Sequence, residues 1–298
     1  MKSETHQTYQ ERILKVLVYI QNHLDETLSL EELAAVAHFS PYHFHRIFRG
    51  MVGESLMEHV RRLRLERAAH RLKFTDFPVT RIAFEAGYET HEAFTRAFRA
   101  LFDQSPSGFR DAHQALPYPK AAGDIHYDPT GKLAGFKLTA REASLAVRIT
   151  DVARMRLAFM RHVGPYVEVG QTWMRLMMWA GMRGLLSPGG TLLGIVHDDP
   201  EVTPPEKVRY DACLPVDERF QPEGDVGLQQ LDGGMYAVVT HCGPYEHLGD
   251  TYARLCGAWL PSSGHELRSA PCFEIYRNSP HDTAPQDLRT DIHVPIEP

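Results

Sequence analysis

The spacing of apolar residues changes character along the 298-residue chain. In the first third they recur three and four apart. Phe44, Ile47 and Phe48 are one such set, and the pattern predicts amphipathic helices with one face on a core. Later the spacing becomes mixed. Val208, Tyr210, Ala212, Leu214 and Val216 alternate with Arg209, Asp211, Cys213 and Pro215, which predicts a strand. Tyr245, Leu248, Tyr252, Leu255 and Trp259 return to helical spacing. An all-helical N-terminal part and a mixed C-terminal part therefore divide the chain. Between them, residues 113–144 are rich in Pro and Gly and read as a linker and lead-in. The expected domains are residues 1–112 and 145–298.

Each part repeats itself. Ala34, Ala37 and Phe39 match Ala83, Ala86 and Tyr88 at an offset of 49, and Phe44, Arg46, Phe48, Arg49 and Ser55 match Phe94, Arg96, Phe98, Arg99 and Ser105 at 50. Each copy reads as helix, short turn, helix. Ser29 with Glu32 forms a capping box, and Ser40 caps a helix that has Pro41 at its first position. In the second copy Gly87 makes the turn and Thr90 the cap. The helix "SLMEHVRRLRLERAAHRLKF" (55–74) joins the two units. Opposite the apolar face of the second helix of each unit lie Tyr42, His45, Arg46 and Arg49, then His91, Glu92, Thr95, Arg96 and Arg99. A rigid pair of helix-turn-helix units with outward arginines suits two successive major grooves of double-stranded DNA.

The second repeat begins with "HVGPY" (162–166) and "HCGPY" (241–245). His162, Gly164, Pro165, Tyr166, Gly170, Thr172, Arg175 and Leu176 recur at an offset of 79. Pro200, Pro205, Arg209, Asp211 and Pro215 recur at 80. Each copy predicts strand, helix, strand, strand, so a βαββ unit is written twice. The expected product is one antiparallel sheet, both helices on one face, with a groove at a pseudo-two-fold axis. The Gly-Pro-Tyr string reads mainly as strand-to-helix punctuation. Near the groove the scheme places Trp173, Trp179, Tyr210, Tyr236, Phe273 and Tyr276. Glu274 breaks the internal symmetry, because its repeat mate is Gly194. A carboxylate on a buried sheet face is costly unless paired. A cation held between aromatic rings would pair it, and a solvated Glu274, or one bonded to Arg277 or a tyrosine, explains the sequence equally well.

Charge adds one local feature. The formal net charge is −6, yet residues 46–73 hold eight basic against three acidic side chains. Phosphate contact and a solvated helix face both fit that patch. The four cysteines have no CxxC spacing and read as reduced thiols of a cytoplasmic protein. No apolar run is long enough to span a membrane. No serine elbow, phosphate loop or metal-spaced cluster is present, so no cofactor, metal or catalytic residue is expected.

Residues 8–112 resemble the DNA-binding domain of the AraC/XylS family of bacterial transcription regulators. "SPYHFHRIFRGMVGESLMEHVRRLRLERAAHRL" and "VTRIAFEAGYETHEAFTRAFRALFDQSPSGFR" carry that likeness. It implies base-edge contacts from Tyr42, His45 and Arg46, and from His91, Glu92, Thr95 and Arg96. Residues 145–298 resemble the GyrI-like effector-binding domain, through the two GPY motifs and "GIVHDDPEVTPPEKVRYDACLPV". That likeness implies a multidrug-type sensor taking lipophilic cations on an acidic residue among aromatics, with Glu274 at the matching strand position. Some relatives are hydrolases of small reactive compounds, which keeps a hydrolase tethered to DNA as the alternative. The expected protein is a one-component regulator, with DNA, a small effector and RNA polymerase as partners. Monomer and homodimer both remain open.

Overall fold

The computed structural model describes residues 2–112, 118–133, 135–137, 145–187, 190–200 and 202–298. The chain divides into two compact units, one helical, of residues 7–44 and 48–140, and one built on a sheet, of residues 141–298 together with 1–6 and 45–47. The helical unit contains α1 (Lys2–Asn22), α2 (Leu30–Val36), α3 (Pro41–Val52), α4 (Leu56–Phe74), α5 (Val79–Glu85), α6 (His91–Phe102) and α7 (Pro106–Asp111).

The two helix-turn-helix units are α2–α3 and α5–α6. Their turns reach the same geometry by different residues. Gly87 has φ of 83°, and its repeat mate His38 takes φ of 53°, a left-handed conformation that a non-glycine residue adopts at a cost. Thr90 caps α6 by accepting from the Ala93 amide at 3.1 Å. Ser29 likewise accepts from the Glu32 amide, but the Glu32 carboxylate is taken by the Tyr19 hydroxyl at 2.5 Å, so the expected box closes on one side only. Ser40 occupies the N-cap position of α3, yet its hydroxyl makes no cap bond. The complete capping box is at α4, between Ser55 and Glu58.

Helix α4 runs through the middle of this unit, and that changes the meaning of the basic patch. Arg62 is buried and bonds Glu54, Glu66 and the Ile125 carbonyl. Arg64 donates to the Leu24 and Glu26 carbonyls, Arg67 to Glu85 O, and Arg71 to the Glu85 carboxylate. Lys73 donates to Ala112 O. These five cations hold the unit together, so the local excess of basic residues is mostly internal and Arg61 is left exposed. The stretch expected to be a loose linker is partly described, residues 113–117, 134 and 138–144 lying outside the described set. Its described part packs on the helices: Ile125 is fully buried, Gln21 donates to His126 O, and the Tyr127 amide donates to Glu66.

The sheet unit has eight antiparallel strands: β1 (Arg148–Val152), β2 (Met155–Val163), β3 (Leu192–Val196), β4 (Arg209–Pro215), β5 (Gly227–Leu231), β6 (Gly234–Cys242), β7 (Cys272–Tyr276) and β8 (Arg289–Pro295). Their order is β1-β6-β8-β7-β3-β4-β2-β5. The repeat is one strand longer than expected. β1 and β5 are mates at an offset of 79, and each pairs with the other copy: β1 with β6, β5 with β2. The unit is therefore ββαββ written twice, with first strands exchanged. Their short, half-polar sequences carry little apolar alternation, which hid them.

Helix α8 (Val169–Met182) follows β2. Helix α9 (Leu248–Arg254) follows β6 and continues through a π-helical turn (Leu255–Trp259) into α10 (Leu260–Ser263). That turn takes in one extra residue, and it is why the repeat offset changes from 79 to 80. Between strand and helix, each Gly-Pro-Tyr motif is locked by its histidine. His162 Nε2 meets Pro165 O at 3.1 Å and its Nδ1 meets Thr172 Oγ1 at 3.3 Å. His241 repeats this with Pro244 O at 3.1 Å and Thr251 Oγ1 at 2.8 Å. A carbonyl can only accept, so each ring donates to it through Nε2. Gly164 and Gly243, with φ of 148° and 131°, make the bend that permits it.

The face away from the helices carries its own core of Leu193, Ile195, Tyr236, Val238 and Phe273. Two repeat-related aspartates border it. Asp211 receives both Arg161 Nε and Nη2 at 2.8 Å and His197 Nε2 at 2.7 Å. Asp291 is held by Arg277, Arg148 and Thr240. Burial alone would raise the Asp211 carboxyl, but Arg161 and His197 hold it down at about 2.

Two outcomes follow from these bonds. The folded carboxyl of Asp211 is depressed, so its stabilisation is present above the unfolded value near 4 and is lost as pH falls toward 2. Acid titration of unfolding should show a loss of about 2.5 kcal/mol over that window, and Asp211→Asn should remove this component. His241→Ala takes the ring partner from the Thr251 hydroxyl and leaves the Pro244 carbonyl with the His247 amide alone, and should cost about 1–3 kcal/mol by urea unfolding.

Candidate functional site

The centre of the sheet is the β3–β7 pair, and its middle register is Gly194 opposite Glu274. This point relates the two copies. Strand alternation puts Gly194, Val196, Tyr210, Ala212, Glu274 and Tyr276 on the helix-facing side. A Cβ on Gly194 would stand 1.9 Å from the Tyr210 hydroxyl. The missing side chain of one copy is thus the space that the Tyr210 phenol fills, next to the carboxylate of the other copy.

Glu274 is 1% exposed. One oxygen accepts from the Tyr252 hydroxyl at 3.1 Å and the other from the Tyr276 hydroxyl at 2.7 Å. The Tyr276 oxygen is 2.7 Å from that of Tyr210, which accepts from Trp173 Nε1 at 3.1 Å. A chain of hydrogen bonds thus runs from α8 through two phenols to the carboxylate, and a second arm reaches it from α9. Rings close the surround: Trp173 lies edge-on to Tyr276 at 5.6 Å, Tyr166 to Tyr210 at 5.6 Å and Tyr245 to Tyr276 at 5.5 Å.

Burial raises the Glu274 carboxyl above its ordinary value, against the pull of its two phenol donors. Burial and the Glu274 charge together raise Tyr210, Tyr252 and Tyr276 well above the usual phenol range, so these remain neutral donors. An ionised Glu274 is costly here, so the stability this carboxyl contributes when protonated is lost as pH rises through its raised value. A ligand cation would recover that cost and would face several aromatic rings. The donor set of one carboxylate and several phenols suits an organic cation. Among the described residues no group of three or more His, Cys, Asp or Glu could hold a metal ion.

Of the residues expected to line the groove, Glu274, Tyr276, Tyr210 and Trp173 come together. Trp179 and Phe273 do not join them. Trp179 sits two turns further along α8, edge-on to Phe220 at 5.9 Å with Arg183 over its ring. Phe273 neighbours Glu274 in sequence and so points to the opposite face, stacked on His293 at 4.2 Å and edge-on to Tyr236 at 5.0 Å. Tyr252, Tyr166 and Tyr245 were missed. The repeat held the signal: Tyr252 is the mate of Trp173, and Tyr166 and Tyr245 are the tyrosines of the two GPY motifs.

In the helical unit, α3 and α6 place the residues expected to meet DNA. On α3, Phe44, Ile47 and Phe48 are fully buried. His45, Arg46 and Arg49 lie on the helix sides turned away from those three, as the 3.6-residue period requires, but against expectation His45 and Arg46 are themselves buried, at 2% and 7% exposure, and Arg49 is half-buried. The Tyr42 side chain lies outside the described part. On α6, Phe94 and Phe98 are buried, while His91, Glu92, Arg96 and Arg99 are exposed and Thr95 is half-buried. Helix α4, of 19 residues, spaces the two units by about 28 Å of helix.

Gly194→Ala tests the construction of the site. The added methyl must displace the Tyr210 ring and break its bonds to Trp173 and Tyr276. The expected result is a shift in tryptophan emission together with a lower unfolding midpoint, by at least about 1–3 kcal/mol for overpacking.

Two family models match the chain. Residues 145–297 match the model of the GyrI-like small molecule binding domain. Residues 33–112 match that of a helix-turn-helix domain. The transcriptional regulator Rob of Salmonella typhimurium is 35% identical over 298 residues, covering 95% of this chain and 97% of that protein. The probable transcriptional regulator YgiV of Escherichia coli is 32% identical over 157 residues, covering 51% of this chain and 97% of that protein. The uncharacterized HTH-type transcriptional regulator YbfP of Bacillus subtilis is 38% identical over 102 residues, covering 34% of this chain and 35% of that protein. Among the described residues no helix is long and apolar enough to cross a membrane. The chain belongs to the transcription regulators that join an AraC-type helix-turn-helix domain to a GyrI-like small molecule binding domain.

Proposed function

We propose that this regulator binds an operator through α3 and α6, within residues 1–112, and is controlled by a small lipophilic cation in residues 145–298, the stretch 113–144 joining them. The observation that carries the ligand class is Glu274, a buried carboxylate whose two oxygens accept from the phenols of Tyr252 and Tyr276, at the midpoint of two repeats. Glu274 supplies the charge, Tyr276 and Tyr252 hold its oxygens, and Trp173, Tyr210, Tyr166 and Tyr245 supply ring faces and edges. Base contacts fall to Tyr42, His45 and Arg46 on α3 and to His91, Glu92, Thr95 and Arg96 on α6, with Arg49 nearby. RNA polymerase is the further partner of such a cytoplasmic regulator. The protein acts by binding and is not an enzyme in this reading.

Tryptophan fluorescence of the full chain, titrated with lipophilic cations and their neutral and anionic analogues, tests the ligand class. Saturation by cations alone is expected. Glu274→Gln should weaken that binding at least tenfold and leave the unfolding midpoint of the sheet unit unchanged or raised. Equal affinity for neutral analogues would remove Glu274 as the anchor, and a product peak in mass spectra of the same samples would favour the hydrolase alternative. On the DNA side, Arg96→Ala should weaken operator binding by about 1–3 kcal/mol if it reads a guanine. Equal losses on operator and random DNA would restrict Arg96 to phosphate contact.

A further inference from the structure

The sheet unit exposes one apolar strip that neither its core nor its ligand site uses. Met174, Met178 and Met182 recur every four residues along α8 and are 64%, 63% and 74% exposed. Val167, just before the helix, is 92% exposed. At 3.6 residues per turn the three methionines, with Gly170, Gln171 and Gly181, fall within about 120° of the helix surface. No charged residue lies in that arc; Arg175 borders it and is bonded to Asp225 of its own chain.

The internal repeat shows that the fold does not require this strip. The mates of Met174, Met178 and Met182 are Ala253, Ala258 and Ser262, the last two at the offset that follows the π-helical turn. The same helix in the same position of the sheet thus carries small side chains. Three exposed methionines on one copy alone are an addition to the architecture, and a contiguous apolar strip of this kind marks a contact surface.

We infer that this strip is a self-association surface, on which α8 of a second copy packs antiparallel about a two-fold axis at Leu176. The strip is complementary to itself under that operation. Met174 comes opposite Met178 of the second copy, and Met178 opposite its Met174. Met182, the most exposed methionine, comes opposite Gly170, where an added Cβ would meet nothing within 4 Å. Gln171 comes opposite Gly181. Large side chains face small ones at both ends and methionines meet in the middle, the knobs-and-holes condition for close helix packing. An interface of this kind is isologous, so it closes at two copies. The absence of charge on the strip disfavours nucleic acid or a strongly charged protein surface as its occupant. One helix face falls short of the roughly 800 Å² per partner of standard stable complexes. The dimer is therefore weak, with a dissociation constant on the order of 100 µM.

Sedimentation equilibrium of the full chain between about 5 and 500 µM reads this directly. A concentration-dependent rise toward twice the monomer mass is expected. Met174→Lys and Met178→Glu each change an exposed side chain, so both should fold, checked by circular dichroism. Each alone should weaken association at least tenfold. Mixing the two variants should restore it, because the introduced ammonium of one copy then faces the introduced carboxylate of the other while a methionine pair remains. A chain that stays monomeric at 500 µM, or variants that associate as the parent does, would overturn the inference. Failure of the mixture to recover would overturn the antiparallel register about Leu176.

Discussion

The structural fact on which the sheet unit depends is the antiparallel pairing of β3 with β7, with Gly194 set against Glu274 at its middle. It joins two copies of one ββαββ motif into a continuous sheet and fixes where their symmetry axis passes. At that axis perfect symmetry would set two identical side chains side by side across the strand pair. The chain resolves this by giving one copy a glycine and the other a carboxylate. Tyr210 then occupies the vacated space and reaches the hydrogen-bond chain that ends on Glu274. Architecture and ligand chemistry thus meet in one residue pair.

Elsewhere the duplicated halves do the same work with related residues. His162 and His241 pin strand to helix with matched bonds, and Asp211 and Asp291 each gather cations on the opposite face. Where the halves differ, the differences have consequences. The π-helical turn shifts the end of the second helix by one residue, and Tyr252, on the turns before it, reaches Glu274 where its mate Trp173 reaches Tyr210. The methionine strip of α8 has no counterpart in the second helix. The positions at which a repeat departs from itself are those the shared fold does not dictate, so they are where function is to be sought. In the helical unit the repeat behaves differently: His38 and Gly87 solve one turn by different means, and the arginines between the units serve packing before anything else.

Much of this was legible in the amino-acid sequence, because repeats and periodicity report local constraints. The offsets of 49–50 and 79–80, the caps at Ser29 and Thr90, the strand over 208–216 and the odd carboxylate at 274 all follow from spacing and side-chain type. So does the exposed face of α6, since its period leaves His91, Glu92, Arg96 and Arg99 opposite Phe94 and Phe98. What only the tertiary structure decided is which side chains meet. It turned Phe273 away from Glu274, placed Trp179 against Phe220 and brought Tyr166, Tyr245 and Tyr252 to the carboxylate. It exchanged β1 and β5 between the halves and gave the cations of α4 to buried carboxylates and carbonyls. The physical reason is range. Periodicity fixes the face of each element from its own neighbours. The partner across a sheet or between helices depends on strand order and register, which are set by contacts some 40–150 residues apart in the chain.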